Sequence, residues 1–269
     1  MCGKRVVRTN QPIEHMFTHG DDEIVLCTRF GQVCRISPGQ PPRWSRIDNG
    51  SMGWLAACAP NGDVVSAHLD FSVCRTTVAG ETSSTSAPHI MGSVALVATD
   101  RSVFYVDAWG FTRRNGEMMC PRTRCGCSSI VQYRGSVAIA SEDGVFVASD
   151  EGPMVPIAPS GGDVALVVST GGRLCSVIRP DPRVTYFVLG FVGGRLIAGD
   201  IPWRSSHRVR AYRNYIVGTG RNTNWSVHMG TGRVTSFNAV YNAHNRIRVV
   251  SGRSGIARVV SDLYGVHVL

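Results

Sequence analysis

The sequence has a single lysine: of its 28 basic residues, only Lys4 is not arginine. It has no long apolar run. Val94–Ala98 and Val164–Val168 are five residues each, whereas a membrane-spanning helix needs about 20. Helical periodicity is missing as well. No window of twelve or more residues keeps apolar residues at i, i+3, i+4 and i+7 without an intervening glycine, proline or β-branched cluster. The opening Met1-Cys2-Gly3-Lys4-Arg5 leads into polar sequence, so no secretory leader is expected and the protein is expected inside the cell, cytoplasmic or nuclear. No P-loop, GxGxxG, GxSxG or HExxH pattern occurs, and no cofactor is expected.

The 269 residues are 43% hydrophobic and 17% charged, with no long block of like charge. That balance excludes disorder as the main state, and the length suffices for a core without disulfides or metals. The arginine bias fits GC-rich coding, as in some large DNA viruses and bacteria. Its physical meaning is firmer, since arginine is permanently charged and suited to bidentate carboxylate or phosphate contacts. Nine scattered cysteines, an odd number, do not describe a disulfide scaffold, and reduced thiols are expected.

What is present in quantity is turn chemistry: 30 glycines and 13 prolines spread throughout. A unit recurs, opening on Gly or Asp-Gly, running through four to six apolar or small residues, turning, and entering a second β-rich run. Ile24–Cys27 turns at Arg29-Phe30-Gly31 into Gln32–Ile36, and Val64–Ala67 turns near Asp70 into Ser72–Thr77. Gly135–Ser141 turns through Glu142-Asp143-Gly144 into Val145–Ala148. Openings near 20, 61, 92, 135, 162, 214 and 246 lie about 38 residues apart on average, the length of a four-stranded blade. Asp143-Gly144, Gly171-Gly172, Gly193-Gly194 and Ser254-Gly255 all permit positive φ at hairpins. These repeats, over about residues 20–269, resemble the β-propeller superfolds, in the broad company of WD40 and kelch proteins. No Trp-Asp or Gly-His signature accompanies them, so no family residue is carried over.

The resemblance implies an all-β chain, a single propeller domain over residues 1–269 with six or seven blades, whose faces bind partners. The segment Arg5–Arg8 has no blade of its own, and the last unit (Ile247–Val250, Ile256–Val260, Gly265–Leu269) has three strands. Pairing the two would close the ring. The rival is a pair of β-sandwiches linked near Arg179-Pro180-Asp181-Pro182.

Charge is unevenly placed. Residues 1–200 carry 18 basic and 18 acidic side chains, whereas residues 201–269 carry ten arginines and one acid, Asp262. The formal net charge of +9 therefore lies in the last quarter. Trp203, Arg204, Arg208, Arg210 and Arg213 interleave with Tyr212 and Tyr215, and Arg221, Arg233, Arg246, Arg248 and Arg253 extend the set, with Arg258 beyond. Arginines beside aromatic platforms suit phosphate contact and base stacking, and the same field attracts acidic protein or an anionic membrane surface. Outward arginine also serves merely to keep a strand edge soluble.

Other chemistry is thinner. Cys120, Cys125 and Cys127 cluster without the fourth ligand of a zinc site; two arginines between them favour thiolate, and an inert loop is the default. His15 and His19 precede Asp21-Asp22 at a spacing that needs a helix, which Gly20 opposes, so a surface loop is expected and no metal. The expectation is a non-enzymatic interaction module or assembly subunit whose Arg-rich sector binds a polyanion: acidic protein, nucleic acid or anionic membrane. The alternative is a propeller hydrolase with acids such as Asp100, Asp107, Glu142, Asp143, Asp163 and Asp200 at the channel mouth.

Overall fold

A computed structural model describes residues 4–8, 11–20, 23–37, 39–47, 53–120, 129–141, 143–158, 165–169, 171–181, 183–204, 208–212, 214–219, 223–238, 246–252, 255–262 and 265–268. Among them are 28 strands and no helix, so no helix is long and apolar enough to cross a membrane.

The strands form seven four-stranded antiparallel sheets. The chain starts with β1 (Lys4–Arg8), and six sheets of consecutive strands follow. Sheet one holds β2 (Ile13–His19), β3 (Glu23–Thr28), β4 (Gln32–Ile36) and β5 (Arg43–Arg46). Sheet two holds β6 (Gly53–Cys58), β7 (Val64–His68), β8 (Ser72–Thr76) and β9 (Thr82–Ser86). Sheet three holds β10 (Ala95–Ala98), β11 (Val103–Val106), β12 (Thr112–Arg114) and β13 (Glu117–Cys120). Sheet four holds β14 (Ile130–Tyr133), β15 (Ser136–Ser141), β16 (Gly144–Ala148) and β17 (Val155–Ala158). Sheet five holds β18 (Ala165–Val168), β19 (Leu174–Ile178), β20 (Phe187–Phe191) and β21 (Leu196–Ile201). Sheet six holds β22 (Arg208–Tyr212), β23 (Tyr215–Thr219), β24 (Thr223–His228) and β25 (Val234–Asn238).

Sheet seven is composite. Its β26 (Arg246–Gly252), β27 (Gly255–Asp262) and β28 (Gly265–Val268) take β1 as the fourth strand, with β1 and β28 antiparallel from Lys4↔Val268 to Arg8↔Gly265. The pairing expected of the N-terminal segment is therefore present. The sandwich alternative is overturned, because the segment with Pro180 and Pro182 connects β19 to β20, which are hydrogen-bonded neighbours in one sheet.

The chain makes two compact units, Met1–Met91 with Tyr241–Leu269, and Gly92–Val240. In the first, β2 lies against both β6 and β26; in the second, β10, β14, β18 and β22 touch in succession. Each sheet thus turns its first strand inward, and the fourth is the outer strand. The first strands begin at 13, 53, 95, 130, 165, 208 and 246, in steps of 35 to 43 residues. This is more even than the sequence repeat, which mixed first strands (at 92 and 246) with second strands (at 20 and 135).

The hairpins share one device. Thr28, Thr77, Asp107 and Ser169 each accept from the backbone N–H four residues on, at Gln32, Glu81, Phe111 and Arg173. Each also accepts a turn bond from a glycine three residues on, the arrangement of a type I turn followed by a bulge. Gly31 shows why glycine is required: its φ is 82°, and a Cβ would lie 2.9 Å from the Ile47 carbonyl oxygen. Glycine and a short side-chain oxygen set the turn, and buried alternating residues of the flanking strands fix the register.

Candidate functional site

The described arginines of the last quarter belong to different environments. Arg204 and Arg233 are exposed on connections, and Arg210 is exposed on β22. Arg208 also lies in β22, opposite Thr219. Arg246 and Arg248 lie in β26, opposite Ser261 and Val259, within the other unit. Arg213, Arg221 and Arg253 fall outside the described residues.

Trp203 corrects the platform expectation. It is 7% exposed and sits in the core of sheets five and six, with its ring edge-on to Phe187 at 4.9 Å. The apolar surface of the indole outweighs its polar handle there; its Nε1 has no hydrogen-bond partner. The same core holds Val177, Leu189, Ile201, Val209, Ile216 and Trp225. Gly218 is a close-approach glycine, since a Cβ there would lie 2.0 Å from the Trp225 ring. Tyr215, by contrast, is exposed and meets His228 edge-on at 4.9 Å.

The first unit holds a charged cluster that the sequence reading missed. Glu23, opening β3, accepts from His19 Nδ1 at 3.0 Å, Arg35 Nη1 at 3.1 Å and Arg43 Nη2 at 3.1 Å. Arg35 is buried and also donates to the Gly62 carbonyl, and His19 Nε2 lies 3.2 Å from the Pro60 carbonyl oxygen. Side chains of sheet one thereby grip the turn between β6 and β7. Sheet two repeats the device: Arg75 pairs with Asp63 at 3.2 Å, and Asn61 Nδ2 donates to the same carboxylate at 3.0 Å. In both sheets the acid stands twelve residues before the arginine of a Val-Cys-Arg triplet, Val33-Cys34-Arg35 and Val73-Cys74-Arg75. That repeat was the available signal. Burial pushes the Glu23 carboxyl up, but the hydrogen bond from His19 and the Arg35 charge outweigh it and hold it below the ordinary carboxylate value.

Of the acids considered for a channel mouth, Asp107 has a structural role. Asp107 is buried, paired with Arg113 Nε at 2.8 Å, and caps its own turn by accepting from Trp109 and Phe111 N–H. Asp143 lies in a hairpin turn, and Asp200 lies in β21 at a φ of 50°. Asp100 lies in the turn between β10 and β11, while Glu142 and Asp163 are outside the described residues. Among the described residues no three of His, Cys, Asp and Glu stand together as metal ligands. His15 and His19, expected in a loop, both lie in β2, where His15 stacks on Phe17. Cys125 and Cys127 fall outside the described residues, as does the Cys120 side chain. Among the described residues, Cys27, Cys34, Cys58, Cys74 and Cys175 are not joined in disulfides.

No protein-family model matches the chain, and no curated protein matches it in sequence. Solved structures do match along its length, and they are β-propellers. A streptogramin B lyase structure aligns at a TM-score of 0.62 and 9% identity, covering 99% of this chain and 97% of that one. The WD40 β-propeller domain of Doa1 aligns at 0.61 and 13%, covering 99% and 95%. YCF48 bound to D1 peptide aligns at 0.55 and 12%, covering 98% and 94%. The fold of this chain is accordingly a β-propeller, six sheets of consecutive strands and one shared between its two ends.

Proposed function

We propose that this protein is a non-enzymatic β-propeller interaction module that binds a polyanionic partner through its Arg-rich last quarter, with an acidic protein surface as the preferred partner. The observation that carries the reading is the charge separation. In the first 200 residues arginines meet acids, as in Arg29–Glu14, Arg35–Glu23, Arg75–Asp63 and Arg113–Asp107. The last 69 residues offer ten arginines a single acid, Asp262, and Arg204, Arg210 and Arg233 reach solvent. A segment with this excess of one sign attracts an anion from outside. The fold supports the reading by analogy, since one similar structure was solved with a bound peptide and another is a WD40 domain. Burial of Trp203 removes one aromatic platform and so favours acidic protein over stacked nucleic acid.

We further propose that the β1–β28 pairing closes one ring spanning residues 1–269.

The test is a salt-titrated binding assay with and without nuclease, on the full chain and on Arg208→Glu/Arg210→Glu. Affinity should fall steeply with salt and at least about tenfold in the double variant, which is about 1.4 kcal/mol or more. Nuclease-resistant binding supports a protein partner, and nuclease-sensitive binding transfers the reading to nucleic acid. Binding indifferent to the two substitutions overturns it.

A further inference from the structure

Every sheet has an outer strand, and a bare outer strand is a template for another chain unless it is guarded. The seven differ in their guards. β5 is Arg-Trp-Ser-Arg, with Arg43 and Arg46 on the edge. β13, β17 and β21 have bulges in their pairing; β17 also carries Pro156 and β21 carries Asp200. β1 has a bulge, Lys4 and two arginines. β25 pairs regularly but lies against β21. β9, Thr82-Ser83-Ser84-Thr85-Ser86, has no charge, no proline and no bulge, and all five residues are exposed.

The backbone of β9 is also aimed. Thr77 N–H donates to the Glu81 carbonyl and Ala87 N–H to the Phe71 carbonyl, at the two ends of the register with β8. Hydrogen-bonded pairs alternate in an antiparallel ladder, so Ser83 and Thr85 face β8. Thr82, Ser84 and Ser86 turn their N–H and C=O groups outward: three donors and three acceptors at two-residue spacing.

We propose that β9 is a strand-addition site that takes an extended, net acidic segment of a different polypeptide. Main-chain hydrogen bonds supply the affinity, and the small hydroxyl side chains let a backbone approach. A second copy of this chain meets the same edge but brings another +9 of net charge, which opposes self-pairing, whereas an acidic segment is attracted. The preference for an acidic occupant draws on the net charge of the last quarter, but the main-chain pairing does not: Arg208→Glu/Arg210→Glu leaves the formal charge positive, and saturable, N-methylation-sensitive binding at β9 should persist.

The experiment uses the full chain and a fluorescein-labelled decapeptide alternating valine and glutamate, alongside the same peptide with alternate amides N-methylated. Fluorescence polarisation should show saturable binding, weakened at least about tenfold by N-methylation. Ser84→Pro removes one outward N–H and leaves the β8 ladder intact, as proline on an edge strand allows. It should weaken binding at least about tenfold with an unchanged melting temperature. Independently of any variant, hydrogen exchange should find the Thr82, Ser84 and Ser86 amides unprotected in the free protein and protected by the peptide. Ser83 and Thr85 should be protected in both states. Absence of saturable binding up to about 1 mM, indifference to N-methylation, or no new protection at those three amides overturns the proposal. So does sedimentation showing a wild-type dimer that Ser84→Pro converts to monomer, which assigns the edge to a second copy.

Discussion

Sheets one and two are joined differently from sheets five and six. Between the first pair, an apolar layer of Val25, Cys27, Val33, Val64 and Cys74 ends in the Glu23 cluster, where His19 and Arg35 hold the Pro60–Gly62 turn. Between the second pair, Phe187, Trp203 and Trp225 fill the seam with aromatic surface. The same architectural joint is therefore made once with directional, titratable groups and once with non-directional burial. The first fixes geometry at the cost of dependence on charge; the second depends on volume.

The largest break should come from the aromatic seam. Trp225→Ala empties the space over Gly218 and should cost about 3–5 kcal/mol in chemical denaturation. Gly218→Val should be destabilising for the opposite reason, because its side chain collides with the indole. Next is Arg35→Ala, which takes from the Glu23 carboxylate its one buried arginine and leaves it His19 and the exposed Arg43; it should cost about 3 kcal/mol. Arg35→Met combined with Glu23→Gln should cost less than Arg35→Ala alone, because no buried carboxylate is left behind and Arg43 is solvated. Equal losses would show that the cluster acts by packing.

A gentler separation uses pH. The Glu23 carboxyl is held below its ordinary value of 4.5, so its contribution is fully present above that value. It is lost as pH falls through the lower folded value. Thermal melting between about pH 6 and pH 3 should therefore destabilise the wild type more than the Arg35→Met/Glu23→Gln variant. The smallest effect concerns thiols. Burial raises Cys34 to about 12, and Cys58 and Cys175 to about 11. Iodoacetamide at neutral pH should leave these three unmodified until the protein unfolds. Because folding favours the protonated thiol, they should reduce stability only as pH rises above 9.

Much of the fold was legible, and the reasons are specific. Ile24–Cys27 and Gln32–Ile36 are β3 and β4 almost residue for residue, since a run of apolar residues bounded by a glycine turn has few other outcomes. The orphan segment at the N-terminus and the three-stranded last unit pointed to each other. The phase of the repeat was not legible, because first and second strands within a sheet are chemically alike. Trp203 was misplaced because its neighbours in sequence are polar, while its partner Phe187 lies 16 residues earlier. The Glu23 cluster was missed because its members meet across strands, the arginine standing twelve positions after the acid.

The composite sheet has a consequence for the order in which the molecule can be made. Residues 92–240 hold four sheets of consecutive strands, whereas β1 is translated about 260 residues before its partner β28. At about 5–20 residues per second, that wait is on the order of 13–50 s. Throughout it β1 is a strand without a mate, exposed to every nascent edge nearby. Its lysine, two arginines and bulge are then a form of quarantine, discouraging premature partners until the last strand emerges.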